Sequence, residues 1–132
     1  MKDKVVFTNG CFDIVHRGHL ELLKYCSTLG KVVVGLNSDQ SVKKLKGSNR
    51  PFFSQEDRKF MLQSLKYVDQ VIIFNQETPL QLIENLRPDF IVKGGDYSPE
   101  QIAGNEISQV IIFDYIDGYS TTKVLNNEKL RF

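Results

Sequence analysis

The chain lacks bulk charge, has little cysteine and contains no long apolar run. Among its 132 residues, 17 Lys and Arg stand against 16 Asp and Glu, a formal net charge of +1. Overall charge therefore directs the protein to neither nucleic acid nor a membrane surface. No apolar run approaches the roughly 20 residues that span a bilayer. Val5-Val6-Phe7, behind Met1-Lys2-Asp3-Lys4, is far too short for the apolar segment of a signal peptide. A cytoplasmic location is expected. Two cysteines, Cys11 and Cys26, fit reduced thiols better than a disulfide framework. Cys11 with His16 and His19 does not match the usual spacing of a structural zinc site, so no metal ligand is assigned. The Walker A and G-x-G-x-x-G patterns are both absent, so any phosphate site must be of another type. There is no internal repeat, low-complexity tract or linker. A chain of this length, 41% hydrophobic and 25% charged, can bury its own core, which predicts one domain over residues 1–132 with 127–132 as a loose tail.

What is present is an alternation of two patterns. Residues 4–8, 31–37, 70–74, 90–93 and 109–113 are short apolar runs, several rich in Val and Ile. Their near-continuous apolar character predicts strands buried on both faces of a parallel sheet. Helical patterns cover residues 18–29, 39–45, 54–65, 79–86 and 120–126. Ser54-Gln55-Glu56-Asp57 resembles a capping box, Pro79 reads as a first-turn proline, and Gly30 closes the first helix as a C′ glycine would. Such an order requires right-handed crossovers. The expected fold class is α/β, a Rossmann-like doubly wound parallel sheet in a single domain. Ligands in such sheets bind at the carboxyl ends of the strands, near the switch in strand order.

Four segments fall at those ends or at helix starts. The first is Asn9-Gly10-Cys11-Phe12-Asp13-Ile14-Val15-His16-Arg17-Gly18-His19, a tight loop between a strand and a helix. Two histidines three apart stand where backbone N–H groups and the positive helix end collect, which suits a phosphate. Gly18 between them would let the phosphate chain approach the backbone. Asp13 reads equally as an orienting carboxylate or a turn residue. The second segment, residues 41–51, is a basic run that alone would be a solvated face. Beside a phosphate loop it becomes a candidate mobile clamp ending at Gly47, with Lys44 and Lys46 as the candidate contacts and Arg50 as a further one. The third is Glu56-Asp57-Arg58, where an arginine in the first helical turn opposes the helix dipole and is read either as reaching a ligand phosphate or as a surface ion pair. The fourth is Gly118-Tyr119-Ser120-Thr121-Thr122-Lys123, a second helix start with hydroxyl donors.

The pairing of His16-Arg17-Gly18-His19, an HxGH motif, with Ser120-Thr121-Thr122-Lys123 resembles the cytidylyltransferase-like nucleotidyltransferase superfamily, over nearly the whole chain. Within it, Thr8-Asn9-Gly10-Cys11-Phe12-Asp13, Asn37-Ser38-Asp39, Glu56-Asp57-Arg58 and Val92-Lys93-Gly94-Gly95-Asp96-Tyr97 are similar to the branch that adenylylates D-glycero-β-D-manno-heptose 1-phosphate. The glycerol-3-phosphate cytidylyltransferase branch, which uses CTP, more often shows Gly-Thr-Phe-Asp and Gly-Asp-Asp-Trp. It also tends to carry an arginine where this chain has Tyr115.

The resemblance implies attack of a sugar 1-phosphate oxygen on the α-phosphorus of ATP, with release of pyrophosphate, assistance by Mg2+ and no covalent enzyme intermediate. It implies that His16 and His19 donate to the α/β-phosphate bridge and that Lys46 and Lys44 contact the transferring or acceptor phosphate. Ser120, Thr121 and Thr122 would hold the outer phosphates, and Arg58 would steady the nucleotide or the clamp. Asn9, Gly10, Cys11, Phe12, Asp13 and Gly18 would line the nucleotide, and Gly94 would pass close to ribose or acceptor. Asp13 or Asp96 would approach the magnesium, and Asp96 equally the sugar hydroxyls. Related enzymes are often homodimers, and any sugar kinase would be a separate protein. No nucleic acid or membrane partner is implied. Glycerol-3-phosphate cytidylyl transfer is the alternative reaction. A nucleotide-binding regulatory module without transfer activity is the alternative of another class.

Overall fold

Successive residues of a strand point to opposite faces of a sheet, and the central strands use both faces for apolar side chains. The computed structural model describes residues 3–95 and 97–114. In chain order the elements are β1 (Val5–Gly10), α1 (Arg17–Leu29), β2 (Lys31–Asn37), α2 (Asp39–Lys46), α3 (Gln55–Gln63), β3 (Gln70–Phe74), α4 (Leu80–Leu86), β4 (Phe90–Gly94), a 3-10 turn (Pro99–Gln101) and β5 (Gln109–Phe113). The five strands form one sheet in the order β3-β2-β1-β4-β5, every neighbour parallel. This is the Rossmann-like arrangement expected from the alternation.

One face packs Val6, Val32, Val34, Leu36, Val71 and Val92 against Leu22, Leu23 and Cys26 of α1 and Leu62 of α3. The other packs Phe7, Val33 and Ile91 against Ile83 of α4 and Ile102. Each fully buried Val, Leu, Ile or Phe contributes about 1.5–3 kcal/mol, which holds the scaffold without a disulfide; both cysteines are free thiols.

Strand pairing is uneven where it matters. β1 pairs β2 over six residues, Val5↔Lys31 to Gly10↔Leu36. It pairs β4 over only two, Val6↔Phe90 and Phe7↔Ile91. The carboxyl halves of β1 and β4 therefore part, at the point where strand order turns back.

Several boundaries differ from the sequence expectation. β1 and β4 run on to Gly10 and Gly94. The lysines of the expected clamp loop belong to helix α2, whose C-cap is Gly47 at φ 105°. Pro79 is the N-cap of α4 rather than its first helical residue, and the 3-10 turn was not expected. Gly30 is not left-handed, since its φ of 163° is extended backbone. It is required instead by close approach, because a Cβ there would lie 2.4 Å from the carbonyl oxygen of Lys4. The expected helix over residues 120–126 and the tail over 127–132 lie outside the described residues.

Gly30→Ala is accordingly expected to lower the unfolding free energy by about 1–3 kcal/mol, as overpacking against backbone does. Urea denaturation checks this value.

Candidate active site

A guanidinium that is taken out of water must spend its donors on protein acceptors. Arg58, at the fourth position of α3, is 0% exposed. Its Nη1 donates to the carbonyls of Cys11 at 2.8 Å and Asn37 at 2.9 Å. Its Nε donates to the Phe53 carbonyl at 2.9 Å, and Nη2 to Asp39 Oδ1 at 2.8 Å. One side chain thus ties the loop after β1, the end of β2, the start of α2 and the segment before α3. The sequence reads Arg58 either as reaching a ligand phosphate or as a surface ion pair. The structure corrects that, because its donors are directed into the protein and the residue is not part of the pocket wall.

Asp13, 1% exposed, makes a second tie. Its carboxylate accepts from Arg50 Nε at 2.6 Å and from the amides of Phe52 and Phe53 at 2.7 and 3.2 Å. The orienting role is the one observed, directed at the segment before α3 and not at a histidine. Phe12 between the two ties holds a left-handed φ of 44°. Such a conformation costs about 1–2 kcal/mol, and burial of its ring against His19, centroids 4.9 Å apart, offsets it.

The two histidines cap their own helix. His16 is the N-cap of α1, and its Nδ1 accepts from the Gly18 amide at 3.1 Å. His19 Nδ1 accepts from the His16 amide at 3.3 Å, the reciprocal arrangement of a capping box. Their rings stack with centroids 3.9 Å apart. An Nδ1 that accepts leaves the proton of the neutral ring on Nε2. Burial lowers the pKa of His16. Burial first, then the neighbouring His16 and Lys46, push His19 down to about 3. The helix start therefore carries two neutral imidazoles with their protons on Nε2; His19 lines a pocket at the carboxyl ends of the strands, and His16 does not. Gly18, read from the sequence as letting a phosphate chain approach the backbone, spends its amide within the cap and is not in the pocket wall.

A pocket of about 490 Å³ opens at the carboxyl ends of the strands. Of the residues singled out from the sequence, it gathers Asn9, Gly10, Cys11, Phe12, Asp13, His19, Lys46, Arg50 and Gly94. Lys44 is exposed and outside its wall. Two positions along a helix turn a side chain by about 200°, so Lys44 and Lys46 cannot face the same space. Asp96, Ser120, Thr121 and Thr122 lie outside the described residues.

The pocket also holds residues that sequence reasoning did not assign, among them Thr8, Asn37, Glu77, Tyr97 and Lys93. A lysine ending the apolar run Phe90-Ile91-Val92 was the available signal for the last of these. Arg50 Nη2 is buried with no hydrogen-bond partner among the described residues. Burial pushes the Cys11 thiol up despite the lowering by Lys46, Arg58, Lys93 and Arg50 around it. It is a neutral thiol and not a nucleophile. Among the described residues no three His, Cys, Asp or Glu side chains converge as metal ligands, so Cys11, His16 and His19 form no zinc set.

Residues 7–126 match the family described as cytidylyltransferase-like. The chain is 51% identical over 127 residues to the bifunctional protein HldE of Campylobacter fetus subsp. fetus, aligning 95% of this chain with 28% of that protein. It is 46% identical over 130 residues to the protein of the same name from Helicobacter pylori strain J99, aligning 97% of this chain and again 28% of the relative. The chain thus spans just over a quarter of the length of these curated relatives. Among solved structures it is similar to a lipopolysaccharide core biosynthesis protein from Thermoplasma volcanium, with TM-score 0.73 and 27% identity over 86% of this chain and 98% of that one. A pantothenate synthetase from Thermus thermophilus, at 17% identity and TM-score 0.67 over 94% of this chain and 62% of that one, shares the fold.

Two outcomes test this geometry. Arg58→Met, which leaves three carbonyls and Asp39 without their donor, is expected to lower the unfolding free energy by about 3–5 kcal/mol. Arg58→Lys should not restore it, because an ammonium cannot reproduce the guanidinium fork. His19 binds its proton near pH 3 when folded and near 6.5 when unfolded. The unfolded chain therefore holds more protons between those values, and stability falls as pH is lowered through that window, by up to about 1.4 kcal/mol per pH unit. His19→Gln keeps an acceptor at that cap position and should flatten this slope in urea unfolding followed across pH.

Proposed function

The chain belongs to the cytidylyltransferase-like family, and from that premise we propose that it transfers an adenylyl group from ATP to a sugar 1-phosphate, D-glycero-β-D-manno-heptose 1-phosphate. The observation that carries this reading is the stacked pair of neutral histidines at the start of α1, one of them lining a pocket with Lys46 and Arg50. The identity of about half to the HldE proteins supports this branch of the family. The name of the Thermoplasma volcanium protein agrees with a product destined for lipopolysaccharide or another surface glycan.

In this mechanism an acceptor phosphate oxygen attacks the α-phosphorus of ATP. The new P–O bond forms as the bond to the β-phosphate oxygen breaks, and pyrophosphate leaves with that electron pair. The Nε2–H groups of His16 and His19 donate to the α/β bridge as it gains charge. Neutral donors suit this task, since they stabilise the developing charge without surrendering a proton. Lys46, at the exposed end of α2, contacts the reacting phosphates, and Arg50 Nη2 offers a further donor. Ser120, Thr121 and Thr122 hold the outer phosphates, and Asp96 the sugar hydroxyls. Cys11 takes no covalent part.

Mg2+ fits this pocket as an ion carried by the phosphates. Both oxygens of Asp13 are already engaged, leaving Glu77 as the other carboxylate among the described residues of the wall. Such an ion keeps several waters, and when bound it neutralises phosphate charge. Among the described residues no helix is long and apolar enough to cross a membrane. We assign the reaction to the cytoplasm, with a sugar kinase supplying the acceptor.

Pyrophosphate release with ATP and heptose 1-phosphate, exceeding release with CTP or with glycerol 3-phosphate, is the expected result. Comparable turnover with both nucleotides would defeat the adenylyl assignment. His19→Ala should lower kcat by about 10²-fold or more, the usual effect of losing one charge-stabilising donor, with the circular dichroism of the folded protein retained. Lys46→Ala should reduce turnover well beyond Lys44→Ala, whose side chain stands off the pocket.

A further inference from the structure

Lys93 occupies the opening between β1 and β4. Past Phe7 and Ile91 the two strands no longer pair, and the Lys93 ammonium spans the gap, donating to the Asn9 carbonyl at 3.3 Å. Thr8, Asn9, Gly10, Lys93 and Gly94 make the pocket wall there. The Asn9 carbonyl takes one of three ammonium donors. Among the described residues Lys93 has no carboxylate partner, whereas Arg58 is paired with Asp39 and Arg50 with Asp13. Lys46 and Lys93 are thus the pocket cations without a carboxylate counter-ion among the described residues. A half-buried ammonium with no carboxylate partner among the described residues is costly, and burial, against a raising effect of Cys11 and with a further lowering by Lys46, draws its pKa down. An anionic ligand would remove that cost.

The side on which Lys93 stands says which anion. Strand residues alternate between faces. Val92 packs on the face covered by α1, and Ile91 on the opposite face with α4. Lys93, two residues after Ile91, leaves the sheet on the face away from α1. The histidines stand at the start of α1. In-line transfer needs the attacking oxygen and the leaving group on opposite sides of the phosphorus. With the histidines at the leaving pyrophosphate, the nucleophile belongs on the Lys93 side.

We propose that Lys93 holds the phosphate of the acceptor in the β1/β4 opening and aims it at the α-phosphorus from the side opposite the histidines. This rests on the transfer reaction proposed above, and binding separates the two. Calorimetry of heptose 1-phosphate would be run on the full chain with magnesium and α,β-methylene ATP, for wild type, Lys93→Met and Lys93→Arg. The expected result is sugar phosphate affinity weakened about 10-fold or more in Lys93→Met. Partial recovery is expected in Lys93→Arg. Affinity for α,β-methylene ATP should change by no more than about twofold in either. Removing a half-buried charge that has no carboxylate partner among the described residues should leave the melting temperature of Lys93→Met at or above wild type, which guards against misfolding. Unchanged sugar phosphate affinity in Lys93→Met, or an equal loss for the nucleotide analogue, would overturn the assignment. A wild-type protein that binds the sugar phosphate yet releases no pyrophosphate with ATP would overturn the transfer reading, while the affinity ratio still judges Lys93. Absence of sugar phosphate binding in wild type would overturn both.

Discussion

Everything at the carboxyl ends of these strands depends on one buried guanidinium. Loops that leave a parallel sheet carry carbonyls with no ladder partner, and such groups must be satisfied when buried. Arg58 satisfies three of them at once and closes its charge against Asp39. Its position in α3 makes helix packing and loop geometry a single event, since α3 cannot dock without bringing the ends of β1 and β2 into register. Asp13 repeats the device with opposite charge, gathering Arg50 and two amides from the same segment. The loop that leads to the histidines is therefore fixed before any ligand arrives.

A second consequence concerns where charge is left unbalanced. Arg58 and Arg50 are compensated by carboxylates, and the histidines are held neutral by burial. Among the described residues of the pocket wall, the positive charge without a carboxylate partner resides on Lys46 at an exposed helix end and on Lys93 in the split between β1 and β4. In the proposed reaction the histidines would contribute directed donors instead. In a partly enclosed pocket, donors already aimed at the place where charge develops need little reorganisation. In the proposed reaction the capping geometry of α1 would supply that aim, because each ring is held through Nδ1 by a backbone amide at the helix start.

The fold was largely legible in the sequence. Runs such as Val32-Val33-Val34 and Val71-Ile72-Ile73 allow little but buried parallel strands, and the spacing of His16 and His19 after such a run marked the loop that matters. What could not be read were partners that leave no side-chain trace. The acceptors of Arg58 are mostly backbone carbonyls, so an arginine that opposes the helix dipole looked like a ligand contact. Gly30 looked like a left-handed cap, because the approach of the Lys4 carbonyl is a tertiary fact. Lys44 and Lys46 looked alike until helix α2 continued to Lys46 and turned them apart. Lys93 gave the reverse lesson. A lysine closing an apolar strand was a visible anomaly, and its meaning waited on the observation that β1 and β4 part company beside it.

Before substrate binds, the helix start carries two neutral imidazoles with their protons on Nε2. Long-range proton–nitrogen NMR of the histidine rings in the ligand-free protein at neutral pH reads this directly. Both rings should be neutral with Nε2–H, and His19 should not titrate until the pH nears its value of about 3. An imidazolium at neutral pH, or a proton on Nδ1 of either ring, would contradict it.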